Sequence, residues 1–157
     1  MKTATVKELK LELSTRSPKE LLEICLRLSK FKKENKELLT YLLYESNDEG
    51  AYIQGVKFET DQQFEVINNQ NWYLIKKSVR KILRTTKTYI RYSKNKQTEV
   101  ELLIHFCTRL KNMKPSIKNN AVLTNLLERQ VQMIRKSLLS LHEDLRYDYE
   151  SLMNELF

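Results

Sequence analysis

The chain has 157 residues, of which 41% are apolar and 31% are charged, and its formal net charge is +8. It contains only two glycines and two prolines, too few for the tight turns of a β-sandwich or β-barrel of this size. The composition therefore favours an all-α protein. The elements described below predict six or seven antiparallel helices, arranged as a bundle or as a short armadillo- or HEAT-like αα-stack.

The first third of the chain contains three amphipathic segments with leucines at helical spacing. Helices are predicted over residues 3–13, 18–31 and 38–46. The second has the clearest start, because Ser17 and Glu20 have the spacing of a capping box and Pro18 occupies the first helical position. A short polar connection to the third helix predicts that these two helices are antiparallel neighbours.

The pattern is least regular over residues 49–71, where Gly50 and Gly55 weaken the prediction of a helix. We expect a single helical domain over 1–157, with a subdivision near 47–71 as the alternative. Beyond this region the periodicity predicts helices over 72–93, 98–113 and 121–157. The last tract is expected to bend or break between Leu141 and Asp144.

The positive charge of the chain is concentrated in one window, residues 66–98, which has no Asp or Glu and nine Lys or Arg. The rest of the chain sums to −1. The helix predicted over 72–96 places apolar residues on one face and cations on the opposite face. We call its cationic row the basic stripe and take it as the candidate binding site; its members are Lys77, Arg80, Arg84, Lys87, Arg91 and Lys94.

Three kinds of partner fit the basic stripe. The first is an acidic protein surface, which includes the acidic C-terminal tract of the same chain (Glu143, Asp144, Asp148, Glu150 and Glu155). The second is nucleic acid, with Tyr89 and Tyr92 as stacking surfaces. The third is anionic lipid, but a membrane surface is not expected, because the opposite face of the helix resembles a core face. A homo-oligomer is left open.

The sequence lacks the motifs of the common catalytic and metal sites. It has no HExxH, no CxxC and no glycine-rich phosphate loop. We expect His105 to be a partly buried histidine paired with Glu101, and His142 to be solvated. We therefore predict no catalytic residues, no metal and no cofactor. An enzyme stays as the third hypothesis, after a binding protein and a nucleic-acid-associated protein.

The two cysteines are too few for a disulfide framework. Cys25 and Cys107 each lie on an apolar helical face, so both are expected to be buried free thiols. The sequence has no signal-peptide pattern at its start and no apolar run of 18 residues. These features predict a cytoplasmic protein.

The N-terminal third has a recognisable arrangement of a Lys- and Leu-rich helix, a Ser-x-x-Glu-Leu helix, a Lys-rich turn and a Leu/Tyr-rich helix. These pieces occupy residues 6–13, 17–28, 32–36 and 38–44. This arrangement resembles a family of small, uncharacterised bacterial helical proteins. The resemblance implies a helical fold and a bacterial source, and it implies no activity and no site residues. The sequence as a whole predicts a non-catalytic helical binding or adaptor protein.

Overall fold

The computed structural model describes all residues, 1–157, and consists of helices without any strand. The helices are α1 (Val6–Ser14), α2 (Pro18–Phe31), α3 (Lys33–Thr40), α4 (Glu49–Glu65), α5 (Trp72–Ser93), α6 (Lys96–Asn112), α7 (Ala121–Leu138) and α8 (Glu143–Leu156). One turn of π-helix follows α3 at Tyr41–Glu45, and one 3₁₀ turn precedes α7 at Ile117–Asn119. The all-α prediction is confirmed, although there are eight α-helices and not six or seven.

Two regions account for the additional helix. Residues 49–65 form α4 in spite of two glycines. Asp48 caps the helix by accepting a hydrogen bond from the Ala51 amide at 2.9 Å, and burial of Ile53, Val56 and Phe64 outweighs the local cost of the glycines. Gly50 lies in the first turn of α4, and Gly55 faces open space. The C-terminal tract is two helices, since the chain leaves helical geometry between Leu138 and Glu143, close to the predicted bend.

The chain divides into two units, residues 1–44 and 45–157. The division falls between Tyr44 and Glu45, just before the region 47–71 in which the sequence suggested a subdivision. The first unit contains α1 to α3. The second contains α4 to α8 and the whole basic stripe.

The first unit is built on two capping boxes and a helix pair. Ser17 and Glu20 form the predicted capping box at the start of α2, and Thr5 forms an equivalent one at the start of α1. Helices α2 and α3 pack on each other and are separated only by Lys32. The prediction that Cys25 is buried is wrong: its side chain is exposed. Helix α2 has no fully buried residue, so its packing on α3 leaves the apolar face of α2 largely uncovered.

Helix α6 is the centre of the second unit and packs against α4, α5 and α7. Six of its residues are completely inaccessible to solvent, namely Thr98, Val100, Leu103, Phe106, Cys107 and Leu110. Cys107 is buried as predicted, and this burial raises the pKa of its thiol to about 12. It is therefore protonated, and it packs as a small apolar side chain.

The turn between α5 and α6 places the two helices side by side. Lys94 ends α5 in the left-handed conformation, with φ 56°, and Asn95 caps α6 by accepting a hydrogen bond from the Gln97 amide. Thr98, at which the sequence predicted this helix to begin, lies inside α6, is buried and donates a hydrogen bond to Glu49 of α4. Because the connection is so short, α5 and α6 run antiparallel.

Candidate binding surface

The inner face of α5 is fixed by the core of the second unit. Ile75, Val79, Ile82 and Thr86 are between 0% and 3% exposed, and Trp72 is half-buried and packs against the same core. The helix starts at Asn71, whose side chain accepts a hydrogen bond from the Leu74 amide at 2.9 Å. The capping and the buried face therefore fix the rotation of α5, as the apolar periodicity predicted.

This rotation turns the basic stripe toward solvent. Lys77, Arg80, Arg84, Arg91 and Lys94 are exposed, and Lys87 is half-buried. Lys81 is a further exposed cation beside the stripe. Like charges three or four residues apart weaken an isolated helix by roughly 0.2–0.5 kcal/mol per pair. Burial of the opposite face offsets this repulsion, so α5 keeps its cations in water without a neutralising partner.

No cation of the basic stripe forms an ion pair with a carboxylate of the same chain. The prediction that the stripe pairs with the acidic C-terminal tract of its own chain is not borne out. Within α8, Glu150 pairs with Arg146 at 2.8 Å and Asp144 lies 3.6 Å from His142. Helix α8 packs on α7, and for this reason its carboxylates do not reach the stripe.

The two tyrosines near the end of α5 are engaged within the fold. Tyr92 is 8% exposed, and the Tyr89 hydroxyl donates to the Glu59 carboxylate at 3.0 Å. Their rings also contact each other, with centroids 6.0 Å apart. The expectation that both offer stacking surfaces for bases is therefore wrong for Tyr92, and the Tyr89 hydroxyl is already used by Glu59.

A polar network between α4 and α6 contains the histidine that the sequence singled out. His105 is paired with Asp61 of α4, at 2.7 Å, and not with Glu101 as predicted. Arg109 Nε lies 3.1 Å from the same Asp61 oxygen. Glu101 instead forms an ion pair with Lys57 of α4, with 2.9 Å between Glu101 Oε2 and Lys57 Nζ.

The sequence contained a signal for this network that our interpretation missed. Lys57 and Asp61 are four residues apart on α4, and Glu101 and His105 are four residues apart on α6. Residues four apart lie on the same face of a helix. Packing of α4 on α6 therefore brings Lys57 to Glu101 and Asp61 to His105 at the same time. The signal could be used only once α4 was known to be a helix.

The network extends to α8 through Tyr149, whose hydroxyl donates to Glu101 at 2.9 Å. Partial burial acts to raise the pKa of Glu101, but hydrogen bonds from Lys57 and Tyr149 outweigh it and hold the pKa of that carboxyl below its ordinary value. Burial and the contact with Glu101 raise the pKa of Tyr149 to about 12. These contacts connect three helices with opposite charges and matched hydrogen bonds.

A shallow groove of about 180 Å³ lies at this network and is lined in part by Lys57, Glu101, His105 and Tyr149. The polar groups of Glu101, His105 and Tyr149 are used by contacts between helices. No three His, Cys, Asp or Glu side chains are grouped so that they could hold a metal ion. His142 is largely exposed, as predicted.

None of the eight helices combines the length and the apolar character needed to cross a bilayer. No protein-family model matches the chain. Searches of curated proteins and of solved structures also find no match. The basic stripe therefore has to be interpreted from its own geometry and charge.

Proposed function

We propose that this chain is a non-catalytic helical binding protein whose basic stripe docks an acidic protein surface. What supports the proposal is that the six cations have no carboxylate partner in the chain and that five of them are exposed. A field of one sign on an open helix face attracts a surface of the opposite sign. The cytoplasmic location and bacterial source predicted from the sequence belong to the same proposal.

The geometry favours a protein helix over nucleic acid as the partner. The stripe advances by three or four residues per cation, about 5 Å along a helix axis. Carboxylates on one face of an acidic helix advance by the same steps, so the two rows match in register. Single-stranded nucleic acid is held by aromatic stacking as well as by cations, and Tyr92 is buried.

The test measures binding of a labelled helical peptide with Glu at alternating three- and four-residue steps, by fluorescence anisotropy at low and high salt. A peptide with the same Glu count spread around the helix serves as the first comparison. We expect the aligned peptide to bind more tightly than the scrambled one, and the affinity to fall with salt because exposed ion pairs are screened.

A triple variant and a matched control locate the binding surface. Arg80→Gln, Arg84→Gln and Arg91→Gln together should weaken peptide binding about tenfold or more, since three charge-assisted contacts are lost. Lys19→Gln, Arg27→Gln and Lys30→Gln remove equal charge from exposed positions of α2 and should change binding much less. Equal losses in the two variants would contradict a defined site.

An oligonucleotide of equal charge tests the alternative class directly. If nucleic acid binds through the stripe, log affinity falls with log salt by about 0.7 to 0.9 per phosphate contact. Tighter binding of the oligonucleotide than of the aligned peptide, lost in the α5 triple variant, would replace the proposal with a nucleic-acid-associated function.

A further inference from the structure

Helix α8 carries an acidic row that mirrors the basic stripe. Asp144, Asp148 and Glu155 are exposed, and positions separated by four and seven residues fall on one side of a helix. The side chain of Asp144 is 93% exposed, and no Lys or Arg pairs with any of the three. We call these three residues the acidic row.

Three cations of the basic stripe have the same spacing as the acidic row. Arg80, Arg84 and Arg91 are separated by four and then seven residues, and so are Asp144, Asp148 and Glu155. Each set spans about 17 Å at 1.5 Å per residue. Two such helices laid side by side in parallel would place three cations opposite three carboxylates.

The reversed orientation gives a match as well, because the stripe has an additional cation at Lys87. In an antiparallel arrangement Glu155, Asp148 and Asp144 would face Arg80, Lys87 and Arg91, since both sets then follow steps of seven and four residues. The charges therefore match whether the two helices are parallel or antiparallel. In the antiparallel arrangement the central pair is Lys87, a half-buried cation, with Asp148.

The acidic row and the basic stripe do not meet within one chain. Helix α8 is held on α7 and is tied to α6 by the hydrogen bond from Tyr149 to Glu101, and no ion pair connects α8 to α5. Both charged faces therefore remain open on the same unit. Complementary open faces on one molecule allow two copies to associate through them.

We propose that the partner of the basic stripe is a second copy of this chain, which contributes the acidic row of α8. This inference rests on the proposed function, because it names the acidic surface that the stripe would dock. If the contact is reciprocal, a two-fold dimer contains two α5–α8 contacts and closes. The contact is electrostatic, so the dimer should dissociate as salt screens the exposed charges.

Sedimentation equilibrium of the full chain at about 0.02 M and about 0.5 M salt tests the inference, because screening differs strongly between these conditions. We expect a concentration-dependent dimer at low salt and a monomer at high salt. Arg80→Glu, Arg84→Glu and Arg91→Glu together, or Asp144→Lys, Asp148→Lys and Glu155→Lys together, should each weaken dimerisation roughly 100-fold, because like charges then face each other.

An equimolar mixture of the two reversed variants gives the most specific readout. One variant then has two acidic rows and the other has two basic rows. The mixture should therefore form a heterodimer at a concentration at which neither variant dimerises alone. Circular dichroism of each variant checks that the helices are intact. Lys19→Glu, Arg27→Glu and Lys30→Glu on α2 make the same charge change as the α5 reversal and should retain the low-salt dimer.

A wild-type chain that is monomeric at low salt, or a mixture that stays monomeric, would overturn the inference. Dimerisation of either reversed variant with the wild-type affinity would do so too. The proposed function is tested separately. If the chain is a monomer but still binds the aligned acidic peptide through α5, the proposed function stands and only the second copy is excluded as the partner. A monomer that binds neither peptide nor oligonucleotide through α5 removes both proposals.

Discussion

At the scale of single residues, Glu101 and Tyr149 connect the helices of the second unit. Glu101 accepts hydrogen bonds from Lys57, Tyr149 and Gln97, which come from three different helices. The charge of Lys57 and the partial burial of the group make these contacts stronger than equivalent contacts in water. The network therefore fixes α8 against α6 although α8 buries only Met153 fully.

Removing one hydroxyl tests this connection. Tyr149→Phe should lower the free energy of unfolding by about 1 kcal/mol, because Glu101 and Gln97 each lose a partner. Urea denaturation followed by circular dichroism measures the change. Tyr147→Phe is the matched control, since the Tyr147 side chain is 74% exposed and should leave stability unchanged. An equal effect of the two changes would contradict the role of Tyr149.

The lowered pKa of Glu101 predicts a pH dependence with a definite sign. Its folded-state pKa lies below the ordinary value of 4.5, so the carboxylate form stabilises the folded state. This contribution is complete above the unfolded-state pKa and is lost as pH falls through the folded-state value. Glu101→Gln should therefore destabilise the protein at neutral pH and much less at a pH well below 4.5. An equal loss at both pH values in urea denaturation would show that ionisation of Glu101 is irrelevant.

At the scale of elements, the sequence predicted α5 better than α4. The faces of α5 were predictable, because Ile75, Val79 and Ile82 recur at core spacing opposite the cations, and these side chains are buried. Helix α4 was not predictable from local propensity, which disfavours a helix at Gly50 and Gly55. Packing of Ile53, Val56 and Phe64 stabilises the helix. Tertiary burial outweighs the local cost there.

A single substitution measures that local cost. Gly55→Ala should raise the free energy of unfolding by roughly 0.5–1 kcal/mol, because alanine favours the helix and a Cβ at this position meets no neighbour. Gly50→Ala should give a smaller gain, as Gly50 lies in the first turn. Denaturation that shows a loss at Gly55 would contradict a continuous helix over this segment.

Neutralising the stripe distinguishes a solvated helix face from an internally paired one. In the dilute, monomeric chain, Arg80→Gln, Arg84→Gln and Arg91→Gln together should leave the melting temperature unchanged or slightly raised at low salt, because repulsion along α5 is relieved. Thermal unfolding followed by circular dichroism at low protein concentration measures the change. A clear fall, equivalent to about 1 kcal/mol or more, would mean that these arginines stabilise the fold through pairs.

At the scale of the whole molecule, the class of fold followed from composition, and the partners of individual side chains did not. Four Gly and Pro residues and the capping box at Ser17 predicted a helical chain and one helix start, and both predictions are confirmed. The exposure of Cys25 and the pairing of His105 with Asp61 depend on which helices pack together. Periodicity identifies an apolar face but not the neighbour that covers it.

The candidate surface shows the same division between local pattern and tertiary contact. The position of the basic stripe was readable from the charge pattern around Arg84, since one helix determines it. The sequence could not predict whether the acidic C-terminal tract of the chain pairs with the basic stripe, because this depends on the packing of α8. The resulting molecule has two complementary charged faces that lie apart, and this separation supports association between copies as well as binding of other acidic proteins.

The reactivity of individual lysines toward an acetylating reagent, read by mass spectrometry with and without the aligned acidic peptide, tests the central claim most directly. We predict rapid acetylation of Lys77 and Lys94 in the free, dilute chain and slow acetylation of Lys57, which is paired with Glu101. The peptide should protect Lys77 and Lys94 and leave Lys30 reactive. Slow reaction of Lys77 in the free chain, or equal protection of Lys30, would contradict an open basic stripe that binds acidic partners.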